Sequence, residues 1–557
     1  MKFLILDGYT DEPAGLGVPP YLGTYPRYVA GVLYKYKQDV SYTTIDKLRE
    51  DLKEYNGKGI DYLNKYDAII AICGFHTPGK YINANPATLR EFVSIMHSFK
   101  GYKMLGGPVA TKFGSSMEGG KIHNDDNLKY FFDFVVEGDI EIVLNDIISE
   151  FIENKLIDAN NKKNVISKIN SKVNPLKTRE YDEIREFAIL GANIVKMHPN
   201  YPNIILELET YRGCSRALSL EGNDFDNDNS DSNCNNSNCG CSFCTEPKRY
   251  GSPKFRGISD IIEEVKALAQ SGVKYYRIGR QPCMFSYMSE ESEKYEIPKP
   301  NPEALEKLFK GIHEVANPKV LHIDNANPSV IARHEVESRA IAKTLVRYCT
   351  GGNTAAFGVE SFDRKVIEKN CLLTEPEDVF KAVQILNEEG GKRSDSGLPY
   401  LLPGINLLFG LKGENKNTFE TNYENLKEIY DAGHMLRRIN IRQVVPFFGT
   451  NITEKDIKKA QKFRHKFLTF REKIRDEIDN PMLKRMVPKG TVLKDVFVEL
   501  KEKDNLYFGR QFGSYPLLVG IDTSNQEDKE TIEIGKYFDI EVTDYGKRSI
   551  TGKIIKK

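Results

Sequence analysis

Short continuous apolar runs alternate with amphipathic stretches over the first third of the chain. Phe3–Leu6, Ala68–Ile72, Met104–Leu105 and Phe134–Val136 are apolar at successive positions, the pattern of strands covered on both faces. Between them, Tyr28–Tyr34 and Leu89–Met96 repeat apolar residues at helical spacing. Residues 1–195 are therefore predicted to form an α/β domain with an open, doubly wound parallel sheet, whose ligands bind at the carboxyl ends of its strands. Those ends carry Asp7-Gly8-Tyr9, Cys73-Gly74-Phe75-His76, Gly106-Gly107-Pro108 and Glu137-Gly138-Asp139.

A second alternation begins at Ile204. Ile204–Leu208 reads as a strand. Ser259 then caps a helix with Ile261, Ile262, Val265 and Leu268 on one face, and Gly272 stops it. Val273–Ile278, Val320–Ile323, Ala355–Val359, Ile405–Phe409 and Ile439–Val445 follow as strands with helical patterns between them. Repeated βα units of this kind predict a full or partial (β/α) barrel over 196–455, with its active site on the loops after the strands. Residues 456–486 read as a basic helical linker. Residues 487–557 are β-rich and broken by Gly509, Gly513, Gly520, Gly535 and Gly546, the punctuation of a small all-β barrel.

At 557 residues the chain is too long for one core. Its formal charge is zero, so the overall balance points to no acidic partner. Locally the picture differs: 431–490 holds 15 Lys and Arg against 7 Asp and Glu, whereas 487–557 holds 12 of each. A basic helical run is either a solvated, salt-bridged face or a polyanion surface. The apolar run at the amino terminus is short and ends on Asp7, unlike a signal peptide, and no run approaches the roughly 20 residues needed to cross a bilayer. A soluble, cytoplasmic protein without membrane contact is expected.

The nine cysteines are unevenly placed. Cys73, Cys283, Cys349 and Cys371 are scattered and read as small buried hydrophobes. Cys214, Cys234, Cys239, Cys241 and Cys244 crowd into one stretch, and an odd total in a cytoplasmic chain favours metal chemistry over disulfides. Cys214 follows a strand, while Cys241 and Cys244 share a C-x-x-C turn. Between them, 221–239 is an Asn-, Asp- and Ser-rich run that cannot bury a core. Spacing alone leaves an iron–sulfur cluster and a structural zinc site open, since C-x-x-C pairs also hold zinc and Cys234 or Cys239 could supply a fourth ligand.

Gly240-Cys241-Ser242-Phe243-Cys244, entered through Arg212-Gly213-Cys214, resembles the signature of the radical S-adenosylmethionine superfamily, C-x3-C-x2-C with an aromatic before the last cysteine. The gap after Cys214 departs from that signature and reads as a looped-out insertion, cheap in closure entropy; Cys234 or Cys239 in place of Cys214 is the alternative. The resemblance implies a 4Fe–4S cluster held by Cys214, Cys241 and Cys244, and S-adenosylmethionine cleaved to a deoxyadenosyl radical. It also implies an electron donor such as a ferredoxin or flavodoxin. Gly279-Arg280-Gln281-Pro282, Gly358-Val359-Glu360-Ser361 and the Gly410–Glu414 turn are similar to the family's cofactor loops. They nominate Gly279, Gln281, Glu360, Gly410, Gly413 and Glu414 as cofactor-binding. Asn440-Ile441-Arg442-Gln443 is similar to the last barrel strand.

The flanks carry resemblances of their own. Residues 7–20 and Val136–Glu141 resemble cobalamin-binding-like domains, although the Asp-x-His-x-x-Gly motif that supplies a cobalt ligand is missing; a substrate-positioning scaffold is the alternative. Gly509–Phe512, Tyr515–Gly520 and Ile534–Thr543 resemble the TRAM domain of RNA-modifying enzymes, where aromatics beside cations can stack bases. Together these imply a radical enzyme that modifies RNA, tRNA included, or another macromolecule, with methylation among the reactions. The alternatives are a cobalamin-dependent methylase or rearrangement enzyme acting on a small molecule or peptide, and an RNA-binding protein with a structural zinc or iron–sulfur site.

Overall fold

The computed structural model describes residues 1–9, 20–54, 62–74, 86–114, 116–118, 121–123, 126–153, 162–220 and 240–555. Two compact units emerge, one of residues 1–207 with 259–274, the other of 208–258 with 275–557. The first contains a five-stranded parallel sheet of β1 (Lys2–Asp7), β2 (Asp39–Thr44), β3 (Ala68–Ile72), β4 (Tyr102–Gly106) and β5 (Phe134–Val135), in the order β2-β1-β3-β4-β5. Each apolar run of the sequence lies in this sheet. β2 was not among the expected strands, because at the sheet edge it alternates polar and apolar side chains (Asp39 exposed, Val40 and Tyr42 buried) instead of forming a continuous run. The order reverses between β1 and β3, the switch point at which such sheets hold ligands. There Asp7 is buried and accepts from Tyr42 Oη (2.9 Å) and Tyr9 N (3.1 Å). Burial pushes its carboxyl up to about 6.

Helix α1 (Thr24–Lys35) covers the sheet of this unit, and a Cβ on its Gly31 would meet Phe187 O at 1.9 Å, so glycine is what lets that backbone approach. Helix α2 (Ile258–Ala269) returns to this unit from beyond the cysteine segment. It starts at Ile258, so Ser259 lies in its first turn and not at its cap. Its Glu264 sits 2.5 Å from Arg27 Nη1 of α1, both side chains fully buried, and Arg27 Nη2 also donates to Glu207 O.

The chain passes to the second unit within β6 (Ile205–Glu209). A parallel row follows: β7 (Tyr275–Gly279) beside β8 (Val320–Ile323), then β9 (Asn325–Ala326), β10 (Asn353–Glu360), β11 (Leu401–Phe409) and β12 (Arg438–Gln443). Asp324, between β8 and β9, accepts from Ala356 N at 2.9 Å and carries the row across the join. Helices α3 (Pro302–Ala316), α4 (Glu335–Tyr348), α5 (Pro376–Gly390) and α6 (Lys416–Asp431) alternate with these strands. The result is a row of βα units that forms a partial barrel.

Helices α7 (Glu454–Gln461) and α8 (Arg464–Ile474) follow β12. They are packed rather than free-standing: Phe467 and Phe470 of α8 sit 5.4 and 5.2 Å from the Phe409 ring. Their outer side exposes Lys455, Lys458, Lys459, Lys462, Arg464 and Lys466. The tail closes into a five-stranded barrel of β13 (Val492–Lys503), β14 (Leu506–Arg510), β15 (Leu518–Asp522), β16 (Tyr537–Tyr545) and β17 (Ser549–Ile554). Leu493, Val498, Ile521, Ile540 and Ile550 fill it, and the closed form fits a TRAM-like domain. Its aromatics are used differently from the expected base-stacking surface. Phe512 stacks on Tyr275 (4.8 Å), Tyr537 Oη lies 2.9 Å from Tyr275 Oη, and Tyr515 Oη donates to Asp324. They dock the tail on the starts of the parallel strands. No helix among the described residues is long and apolar enough to cross a membrane.

Candidate active site

The cysteine segment is pinned at its base by a two-residue antiparallel ribbon, Tyr211 and Arg212 opposite Phe255 and Lys254. Gly213 follows with φ +83°, and a Cβ there would meet Ser252 O at 2.3 Å. Only glycine fits both the left-handed backbone and the approach. Cys214 N then donates to Gly251 O (3.0 Å), and Gly213 N to the half-buried Glu246 Oε1 (3.0 Å). Cys244 N donates to Cys241 O (3.0 Å), closing the C-x-x-C turn. Phe243 packs on a cluster of Val366, Leu411, Val444 and Ile452, on which Ile457 of α7 also packs.

Cys214, Cys241 and Cys244 are free thiols. Burial pushes Cys214 up to about 12 and Cys244 well above the usual thiol range, with the neighbouring cysteines adding to the rise at Cys244. Burial also raises Cys241, although Arg216 Nη1, 3.4 Å from its sulfur, opposes this. Thiols so placed ionise when a cationic centre displaces their protons. No three His, Cys, Asp or Glu side chains among the described residues converge as one metal ion requires. A cluster of several irons and sulfides reaches a wider set of thiolates, and the donor set, three thiols with no fourth among the described residues, fits one that keeps an iron open. Cys234 and Cys239 lie outside the described residues. Cys73, Cys283 and Cys349 are buried thiols as expected, whereas Cys371 is disulfide-bonded.

The nominated cofactor residues stand at successive ends of the parallel strands. Gly279 ends β7, Glu360 ends β10, and Gly410 follows β11. Left-handed backbone recurs there: Arg280 at φ +68°, Glu360 at +64° and Gly410 at +95°. For side-chain-bearing residues this is strain of the kind found at ligand sites. Gln281 is buried; its Nε2 donates to Ile278 O (3.2 Å), and its Oε1 is a buried acceptor without a partner among the described residues. Burial pushes the Glu360 carboxyl up to about 7 against the pull of Arg442. Glu414 is turned back on its own loop, accepting from Gly410 N at 2.6 Å, and Gly413 (φ +86°) approaches Lys365 O. Glu414 and Gly413 therefore shape the turn.

Sequence reasoning missed Asn370. Its Oδ1 accepts from Ser242 Oγ (2.8 Å) and Lys412 N (3.1 Å), and its Nδ2 donates to Lys412 O (2.8 Å). Its carbonyl accepts from Ser242 N (3.0 Å), while Ser242 O accepts from Asn451 N (2.7 Å). One buried amide thus ties the C-x-x-C turn to the Gly410–Glu414 turn. Arg280, beside the strand-end Gly279, pairs with Glu209 at 3.3 Å. A charged residue next to a strand-end glycine was the available signal.

No protein-family profile matches the chain. It is 64% identical to uncharacterized protein MJ0274 of Methanocaldococcus jannaschii, over 100% of this chain and 93% of that protein. It is 19% identical to the ribosomal protein uS12 methylthiotransferase RimO of Clostridioides difficile, over 57% of this chain and 64% of that protein. Among solved structures, the cobalamin-dependent S-adenosylmethionine radical enzyme OxsB, in its apo form, aligns with TM-score 0.53 and 12% identity, covering 84% of this chain and 61% of that one. The radical S-adenosylmethionine methyltransferase TsrM from Kitasatospora setae, with cobalamin and a [4Fe-4S] cluster bound, aligns with TM-score 0.50 and 13% identity, covering 83% and 78%. At this identity the likeness is one of fold.

Proposed function

Because the chain belongs to the family of M. jannaschii protein MJ0274 and has the fold of radical S-adenosylmethionine enzymes, we propose that it is such an enzyme, modifying RNA, with methylation as its reaction class. The observation that carries the enzyme reading is that the free, half-buried thiols Cys214, Cys241 and Cys244 lie near enough for the first two to raise the third, beside the ends of the parallel strands. These cysteines would hold a 4Fe–4S cluster, and Gly279, Gln281, Glu360 and Gly410 would hold S-adenosylmethionine. When bound, the pair supplies one-electron cleavage of the sulfonium to a deoxyadenosyl radical. The chain's own contribution is placement. Asn370 and the Gly213 turn fix the thiols, Gln281 Oε1 offers an acceptor for an amine, and Phe243 with its apolar neighbours keeps water from the turn.

The RNA reading rests on α7 and α8 more than on the tail. Exposed Lys455, Lys458 and Lys459 of α7, with Lys462 at its end, sit on an element that shares an apolar cluster with Phe243 of the cysteine turn. Phosphates neutralised there would bring a nucleotide to the rim of the strand-end site. A second reading, a cobalamin-dependent methylase acting on a small molecule or peptide, is favoured by the β2-β1-β3-β4-β5 order of the first unit. Cobalamin would bind there without a histidine from the missing motif.

The decisive experiment is anaerobic reconstitution with iron and sulfide, followed by reductant and S-adenosylmethionine. Deoxyadenosine or S-adenosylhomocysteine is expected, and replacing any of the three cysteines by alanine abolishes both. An intact cluster with neither product would remove the enzyme reading; bound zinc without iron would favour a structural site. For the substrate, exchanging Lys455, Lys458, Lys459 and Lys462 for glutamine should weaken RNA binding and reduce its salt slope by about 3–4. Unchanged RNA affinity would sink the RNA reading and leave the radical chemistry standing.

A further inference from the structure

A cavity of about 340 Å³ lies at the starts of the parallel strands, between them and the tail barrel. It is bordered by the first residue of β7 (Tyr275), by the turn before β10 and by Arg437, which precedes β12. The cysteine site is at the opposite ends of these strands. In (β/α) barrels the strand-start face ordinarily carries stability and not chemistry, so a cavity there with a charged floor needs a separate account.

Arg437 forms that floor and is only 7% exposed. Its Nη2 donates to Tyr515 O, and its Nε is buried without a partner among the described residues. No carboxylate among the described residues pairs with it. Arg27, Arg179 and Arg510, equally buried, lie 2.5, 2.5 and 2.9 Å from Glu264, Glu141 and Glu499. A buried guanidinium without a counter-ion is costly unless an anion completes it. His322, also in the lining, adds no charge. Its Nδ1 accepts from Ser514 N (3.1 Å) and its Nε2 faces Gly351 O (3.2 Å), so the ring is neutral.

The walls are aromatic: Tyr275 and Phe512 stack at 4.8 Å and 29°, with Tyr537 beside them. Toward solvent the lining carries exposed Lys319 and Lys494 together with exposed Asp395 and Asp495, so Arg437 is its one buried charge among the described residues. We propose that this cavity binds a small phosphorylated aromatic anion of mononucleotide size, its phosphate on Arg437 and its ring among Tyr275, Phe512 and Tyr537. The volume suits this, being near the lower end of ligand sites. Such a ligand touches strand row and tail together and tightens their docking.

Adenosine 5′-monophosphate is the probe, titrated into the full-length protein by calorimetry with melting in parallel. Saturable binding, a raised melting temperature and affinity about tenfold or more above that of adenosine are expected. Arg437→Met should lose about tenfold or more. Lys319→Glu, at an exposed position that leaves folding intact, should lose about threefold, and decides the matter should Arg437→Met not fold. Excess S-adenosylmethionine should leave the binding in place. Absence of saturable binding, indifference to both substitutions, or displacement by S-adenosylmethionine would each overturn the proposal; the last would put the nucleotide in the strand-end site.

Discussion

At Asn370 a single side chain serves two loops that lie far from it in sequence, through Ser242 and Lys412. Asn370→Ala would strand the Ser242 hydroxyl and both polar groups of the Lys412 backbone in a buried setting. We expect a loss of about 2–3 kcal/mol, measured by urea unfolding, together with faster bleaching of the reconstituted cluster's absorbance in air. Asn370→Asp, which keeps the acceptor and loses the donor, should fall between. The cysteines were legible in the sequence because thiolates at close spacing have few other uses. Asn370 was not, since an Asn after a helix reads as a cap and its partners are brought in only by the fold. Gly213 was legible as part of a motif, but its reason, the carbonyl of Ser252 2.3 Å from where a Cβ would stand, is a fact of tertiary structure.

Among the elements, the parallel strands were the most legible, because burial on both faces leaves continuous apolar runs. The docking of the tail was not, because an aromatic on a small barrel has the same sequence signature whether it stacks a base or a neighbouring domain. His322 makes that docking sensitive to acid. Its Nδ1 must stay unprotonated to accept from Ser514 N, and burial, helped by Arg437 and Arg277, holds its pKa at about 4 against an ordinary 6.5. The unfolded chain therefore binds the proton more readily between those values. The stability from this group is complete above about pH 6.5 and declines as pH falls towards 4, by up to about 3 kcal/mol. His322→Gln should remove this component, so the difference in unfolding free energy between wild type and variant should shift by that amount from pH 7 to pH 4. A constant difference would show that the ring does not titrate with docking.

For the whole molecule, the boundaries read from sequence, 1–195 and 196–455, assume that domains follow one another along the chain. The first unit instead takes back residues 259–274. Its tie is the buried Arg27–Glu264 pair at 2.5 Å. Arg27→Met leaves the Glu264 carboxylate buried without its guanidinium and should cost about 3–5 kcal/mol, whereas Arg27→Met with Glu264→Met should recover most of that loss in denaturant unfolding. No periodicity could have revealed this, since α2 is an ordinary amphipathic helix whose buried Glu264 meets its partner only in the fold. The same arrangement sets a schedule for synthesis. Domains generally fold from the amino terminus as they leave the ribosome, yet here the first sheet emerges with a buried arginine still awaiting its acid. The cysteine segment is translated before that acid arrives, so the first unit can complete its core only after the cysteines have been made.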